Sequence, residues 1–287
     1  MTTTVTLTGT GVPIPSPGRA GPGVLVRHGT TALQFDAGRG TVLRLTEAGV
    51  GLHELTALFV THVHSDHVIG LPDVVMGRWI QDHVWKTGPL DLHLPNGEAA
   101  GFAERMLDPY AADIALRMEH VQEAPPEPRL HPFAYGPQPR EIWSRDGITV
   151  EAVAVHHEPV PGAVAYRVRT PDGTVVISGD TRVCDEVETL SQNADVLVHE
   201  ACRTTALHAA IAGTPFEKIF SYHADTVALG GLAKRADVKH LMLTHLIPAP
   251  DDEAGETDFA NDVRLGGYEG RITVGRDLMK VTLDSPR

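Results

Sequence analysis

Residues 61–70 read THVHSDHVIG. They place His62, His64, Asp66 and His67 within six residues, directly after the apolar run LTALFV (55–60) and before LPDVV (71–75). A short apolar run bounded by polar residues reads as a buried strand, so four metal-capable side chains crowd the point where a strand ends. His62 and His64 alternate along an extended segment and can face one side. Asp66 and His67 fall where the chain turns into the next helix, and they can face a second ion. Imidazole nitrogen and carboxylate oxygen are ligands for zinc, and a bridging carboxylate can hold two ions side by side.

Other apolar runs end in the same way. VEAVAV leads to His156 and His157, TVVISG to Asp180, DVLV to His199 and Glu200, and HLMLT to His245. Each places a His, Asp or Glu at a strand's carboxyl end, where α/β proteins commonly build their sites. Helical patterns lie between the strands at GTVLRLTEAG (40–49), DHVIGLPDVVMGRW (66–79), about residues 97–118, and from His223 through ADTVALGGLAKRA. Strands and helices mixed in this order predict an α/β sandwich formed by one domain, 1–287. The proline-rich stretch EAPPEPRLHPFAYGPQPREIW (123–143) has no clear period and reads as an ordered loop or short insertion near mid-chain.

Composition sets the outer bounds. The chain has 287 residues and a formal charge of −13, which counts against general nucleic-acid binding. No apolar run is long enough to span a bilayer. The start, MTTTVTLTGTG, lacks the basic-then-apolar order of a secretory signal. With only Cys184 and Cys202, a disulfide scaffold is excluded and a reducing, cytoplasmic setting is expected.

These residues resemble the metallo-β-lactamase superfamily, and within it the branch of the tRNA 3′-processing endonuclease (RNase Z) and its arylsulfatase-like and phosphodiesterase-like relatives. The resemblance begins at GTGVPIPSPGRAGPGVLV and FDAGRG and passes through THVHSDHVIGLPD. It continues with HHEPVPGAVAYRV, VVISGDT, VLVHEA, YHADTVALGGLAKRA and LMLTHL. It implies a four-layered αββα sandwich with a one- or two-metal site at the edge of its two sheets. It further implies His62, His64 and His157 as ligands of a first ion. Asp66, His67 and His245 would bind a second ion, with Asp180 bridging. His157 is preferred to His156 because it precedes the proline-containing turn and Tyr-Arg pair of HEPVPGAVAYR. Glu200 and His223 resemble the pair that hydrogen-bonds near the leaving group, and Asp36 resembles a carboxylate orienting a ligand histidine.

The sequence also departs from RNase Z. Only 22 residues separate His157 from Asp180, which suffices for a hairpin and leaves no tRNA-clasping arm. After His245 comes LIPAPDDEAGE rather than a Ser/Arg/Tyr-containing stretch. A small-molecule ester is therefore the expected substrate, with nucleic acid and membrane disfavoured as partners and a homodimer left open. The aromatic-rich segment at about 76–145, with Trp79, Trp85, Tyr110, Phe133, Tyr135 and Trp143, reads as an insertion, a lid or a dimer contact. The expected activity is that of a dinuclear-metal hydrolase using a metal-bridged hydroxide on a phosphodiester or sulfate ester. Two divalent ions are implied, Zn2+ first, with Mn2+ or Fe2+ as alternatives. Asp66 serves as ligand and proton acceptor, and Glu200 and His223 supply a proton to the leaving oxygen. The alternatives are a lactone or carboxylic-ester hydrolase, a tRNA 3′-processing endonuclease, or a non-catalytic metal-binding member of the fold.

Overall fold

A computed structural model describes residues 2–121 and 124–283. Glu123, which opens the proline-rich stretch, and the extreme ends of the span 1–287 lie outside the described residues. The first sheet runs in chain order through β1 (Thr3–Gly9), β2 (Gly23–His28), β3 (Thr31–Phe35), β4 (Ala57–Phe59), β5 (Asp91–Pro95) and β6 (Arg129–Phe133). The second runs through β7 (Arg140–Arg145), β8 (Ile148–Ala154), β9 (Val164–Thr170), β10 (Gly173–Ile177), β11 (Val196–Cys202), β12 (His240–Ile247) and β13 (Arg271–Val274). β14 (Lys280–Thr282) then returns to pair with β1.

Each sheet starts with antiparallel neighbours and continues with parallel ones. The change of direction comes after β3 in the first sheet and after β10 in the second. The two halves of the chain therefore share a strand plan that no residue repeat announces.

The strand sequences explain the layering. In β11, Val196 and Val198 belong to the core between the sheets, to which the first sheet gives Val5, Leu33, Phe35 and Phe59. Leu197 between them faces outward onto helices. A sheet covered on both faces needs apolar residues at successive positions, which is why these strands read as unbroken apolar runs. On the outer side of the first sheet, α1 (Thr41–Glu47), α2 (Ser65–Val68), α3 (Leu71–Trp85) and α4 (Glu98–Arg105) bury residues such as Leu45, Val68, Leu71 and Ala99 against Leu25, Leu58 and Leu92. They are followed by α5 (Ala111–Val121). The second half adds α6 (Asp185–Leu190), α7 (Thr204–Ile211), α8 (Pro215–Phe220), α9 (Thr226–Arg235) and α10 (Glu253–Leu265). Of these, Val187, Leu229 and Phe259 pack against Val176, Leu197 and Leu241. Each fully buried side chain of this size contributes about 1.5–3 kcal/mol relative to exposure. The layers are those of the expected αββα sandwich.

Several local expectations change. The stretch 123–143 is not a plain loop, since it carries β6 and the start of β7, the outermost strands of the two sheets. Edge strands bury little, and β6 is mostly exposed, so its sequence lacks the apolar pattern of a central strand. Pro132 is tolerated there for the same reason. The segment 76–145 contributes β5, β6 and β7 to the two sheets, and α4 between β5 and β6 packs on the first of them. Helices α6, α7, α8 and α10 lie where the sequence had offered no helical pattern. No helix among the described residues is long and apolar enough to cross a membrane.

Candidate metal centre and active site

Parallel pairing of β3 with β4 sets Phe35 opposite Phe59, so Asp36 and the opening motif leave the sheet side by side. β4 ends at Phe59, and His64 stands just before the first turn of α2, which carries Asp66 and His67. Beneath this turn the chain is packed glycine on glycine. A Cβ on Gly38 would collide with Gly21 and with the Asp66 carbonyl, and one on Gly21 would strike the same carbonyl. The glycines of GPG and FDAGRG thus seat the motif rather than cradle a phosphate.

The second sheet supplies the facing side chains. His157 follows β8 and Asp180 follows β10. Glu200 and His245, expected at strand ends, lie inside β11 and β12, because these strands continue past the site. Their pairing slips there: Glu200 lies opposite Thr244 but Ala201 lies opposite Leu246, leaving His245 as the extra residue. His245 has φ 45°, in the left-handed region. Such a bulge bends the strand and re-aims one side chain. Without it, strand alternation would govern where the His245 imidazole points.

The structure brings seven sequence-predicted residues together in two groups. Ligand atoms of His62, His64, His157 and Asp180 all lie within 4.8 Å of one another, as do those of Asp66, His67 and His245. Asp180 joins the groups, its Oδ2 lying 3.8 Å from His62 Nε2, 3.8 Å from His157 Nε2 and 3.3 Å from His245 Nε2, and its Oδ1 3.3 Å from His67 Nε2. His157 Nε2 is 3.2 Å from His64 Nδ1, and Asp66 Oδ2 is 3.4 Å from His245 Nε2. A tetrahedral ion with bonds of ~2.0–2.1 Å separates its ligands by about 3.3–3.4 Å, close to these spacings.

Polar satisfaction points the same way. His62 Nε2, His67 Nε2 and Asp180 Oδ1 are buried with no hydrogen-bond partner. Buried polar atoms are normally paired, so these converging ones fit a bound cation. The far nitrogens are held by the protein. His67 Nδ1 donates to Asp36 Oδ2 at 2.8 Å, His62 Nδ1 contacts Thr61 Oγ1 at 3.0 Å, and His157 Nδ1 contacts the Tyr222 carbonyl at 3.3 Å. This support fixes the tautomer that leaves the inward nitrogen free to bind. Thr61 and Tyr222 were not singled out in the sequence, because a hydroxyl and a backbone carbonyl carry no motif of their own. His156 stays outside the cluster, partly exposed beside Glu158 and Glu186.

The electrostatics suit cations. Burial pushes the His62 imidazole well below its usual range, keeping its lone pair free. Burial opposes ionisation of Asp180, but the imidazoles of His245 and His67 outweigh it and hold the carboxylate well below the usual range. Burial likewise disfavours a charge on His67, yet Asp180, Asp36 and Asp66 together lift it well above an ordinary imidazole. Three carboxylates around one ring create a field that demands positive charge, which divalent ions would supply.

Glu200 and His223 stand beside the two groups. His223 Nδ1 lies 3.0 Å from both Glu200 carboxylate oxygens, and the Thr181 N–H donates to Glu200 Oε1 at 2.7 Å. Burial pulls the His223 imidazole down, but the Glu200 carboxylate, with Asp180 behind it, lifts it to about 9. His223 also falls within ligand distance of Asp180 and His245. A cavity of about 530 Å³ opens above, with His64, His157, Asp180, His223 and His245 on its floor. Its aromatic wall comes from Phe216, Phe220 and Tyr222, not from the segment 76–145, none of whose aromatic residues lines it.

Residues 4–225 match the family model described as Anti-Pycsar protein Apyc1. A protein named Ribonuclease Z from Mycobacterium bovis is 35% identical over 273 residues, which cover 94% of this chain and 95% of that one. Its name runs against the expectation that nucleic acid is disfavoured as a partner. Among solved structures, the metallo-β-lactamase fold protein YhfI from Bacillus subtilis superposes with a TM-score of 0.72 at 20% identity, covering 98% of this chain and 100% of that one. The short form of human tRNase Z superposes with a TM-score of 0.69 at 21% identity, covering 98% and 99%. By its fold and by 35% identity over nearly its full length to a protein named Ribonuclease Z, the chain belongs to the metallo-β-lactamase superfamily, as an RNase Z-like, metal-dependent hydrolase of ester bonds.

Proposed function

We propose that the protein hydrolyses phosphodiesters at a dinuclear centre formed by His62, His64, His157, Asp66, His67 and His245 with Asp180 between the two ions. The observation that carries this reading is the junction at Asp180, within 3.8 Å of nitrogen atoms from both groups. The all-nitrogen-and-oxygen donor set suits Zn2+, and Mn2+ or Fe2+ are accommodated by the same atoms. When bound, two such ions would supply Lewis-acid polarisation of the ester and would lower the pKa of water.

The protein's own groups account for the remaining steps. Asp66, buried beside His245, would accept a proton from the attacking water. Glu200 fixes His223 through Nδ1, so that Nε2 is the atom that carries a proton to the departing oxygen. Of the two ester classes expected, the phosphodiester is supported by the ribonuclease name of the 35% identical relatives.

A small phosphodiester is favoured over tRNA. The residues between His157 and Asp180 form the tight β9–β10 hairpin, with Gly173 paired to Thr170 and no room for an arm. The relatives' name supports precursor RNA as the second reading. The test compares metal-loaded protein on bis(p-nitrophenyl) phosphate and on precursor tRNA. Turnover of the diester with weak tRNA trimming is expected. Site-specific 3′ trimming that outpaces the diester would reverse the order, and turnover of neither, with less than one ion bound per chain, would discard the hydrolase reading.

A further inference from the structure

The search for further sites leads back to the walls of the cavity over the candidate metal centre. Its floor is polar, but its sides are not. Helix α8 presents Phe216, Ile219 and Phe220, with the rings of Phe216 and Phe220 5.6 Å apart, one helical turn from each other. The segment after β1 adds Pro13 and Ile14 to the same lining, and Ile247 of β12 joins them. Phe216 is 49% exposed and Ile14 71% exposed, so large apolar groups stand in water at the mouth of a polar site. Isolated exposed hydrophobics need no explanation, whereas several lining one cavity mark a binding surface. No lysine or arginine lines this cavity among the described residues. A site built to hold a run of phosphates would need such cations, because phosphate contacts supply most of the affinity for a nucleic-acid strand.

We propose that these apolar residues form a subsite for an aromatic substituent on the ester, lined by Phe216 and Ile219 of α8 and by Ile14. This rests on the phosphodiesterase reading above and narrows it to compact diesters bearing a planar apolar group. Phe216 and Phe220 offer ring faces and edges for offset or edge-to-face contact with such a group. Ile14 and Ile219 complete the slot. The segment that carries Ile14 is pinned from below: the Asp277 carboxylate accepts hydrogen bonds from the Thr10 and Ala20 N–H groups at 2.9 and 2.6 Å. One part of the lining is therefore fixed while the other rides on a short helix.

The test holds the leaving group constant and varies the other substituent. Metal-loaded protein is assayed on phenyl p-nitrophenyl phosphate and methyl p-nitrophenyl phosphate. In parallel, phenylphosphonate and methylphosphonate are titrated calorimetrically. The phenyl compounds are expected to be preferred by ~10–100-fold in kcat/KM and by about tenfold in affinity, the range one apolar pocket contact provides. Phe216→Ala and, on the segment after β1, Ile14→Ser are each expected to shrink both preferences at least about threefold. Leu265→Ser, at an exposed apolar residue on α10 that does not line the cavity, should leave them as in the wild type. Turnover with equal use of phenyl and methyl substrates, or preferences unchanged in both wall variants, would overturn the subsite. Absence of turnover with an intact phenylphosphonate preference would instead overturn the hydrolase reading and leave the subsite standing.

Discussion

Asp36 touches no other member of the two ligand groups than His67, yet exchanging it for Asn should weaken metal binding. Its carboxylate is buried and accepts three hydrogen bonds: from Thr61 N–H at 2.7 Å, Thr61 Oγ1 at 2.8 Å and His67 Nδ1 at 2.8 Å. Asp36→Asn keeps the size, and the left-handed backbone at this residue, φ 57°, suits Asn as well as Asp. The amide oxygen can still accept from Thr61 N–H. The amide NH₂ then faces the Thr61 hydroxyl, which can rotate to accept, and His67 Nδ1, which cannot while it holds its proton. His67 must either lose that bond or move the proton to Nε2, the atom aimed at Asp180. Loss of such a supporting partner typically costs 10–100-fold in metal affinity, equivalent to about 1.4–2.7 kcal/mol. Competition against a chromophoric chelator should show this loss for the ion nearest His67, with circular dichroism of the metal-free variant unchanged. Affinity within twofold of the wild type for both ions, in a folded variant, would refute the claim that Asp36 sets the His67 tautomer.

Three further outcomes are expected. Asp180→Ala should lose both ions under dialysis against a chelator, whereas His245→Ala should lose mainly one, as counted by elemental analysis; equal losses would show that Asp180 does not bridge. His223→Ala and Glu200→Gln should slow hydrolysis of diesters with basic leaving groups by ~10²–10⁴-fold and nitrophenyl esters far less. Lost metal in His223→Ala would move that residue into the ligand set with Asp180 and His245. His93 is buried against Phe59, with Asp91 and His131 nearby. Burial first, then His131, lowers its imidazole to about 4 against Asp91, which raises it. The unfolded chain takes up that proton near pH 6.5, so this site's contribution to stability is whole above 6.5 and is lost as pH falls towards 4. The slope is at most about 1.4 kcal/mol per pH unit. His93→Phe should remove that part of the slope in urea titrations between pH 6.5 and 5, and an unchanged slope would show that His93 is not held neutral.

Much of the candidate site was legible in the chain because its parts are local. His62, His64, Asp66 and His67 are spaced by backbone geometry alone, and a strand followed by a helical turn suffices to divide them between two ions. Asp180 and His157 were legible because an apolar run stops just before each. Most central strands were legible for the same reason that they are buried on both faces, since a covered strand must be apolar at every position, although β5, with Asp91, His93 and Pro95 in five residues, was not singled out. The edge strands β6 and β7 were not, because a strand with one open side carries too little burial to write a pattern.

What the sequence determined by itself was therefore the chemistry: which residue types, at which strand ends, could bind two cations. The tertiary structure decided the aim. His245 reaches the cluster through a bulge inside β12, and Glu200 meets His223, 23 positions on, across α7 and α8. Neither geometry follows from spacing, because both depend on the register of paired strands. The cavity wall is the same kind of fact. Phe216 and Ile219 are ordinary apolar residues far from Ile14 in the chain, and only the fold brings α8 and the segment after β1 to one cavity. Metal ligands announce themselves because few other roles call for them, whereas apolar side chains serve core and pocket alike, and only three-dimensional placement separates the two.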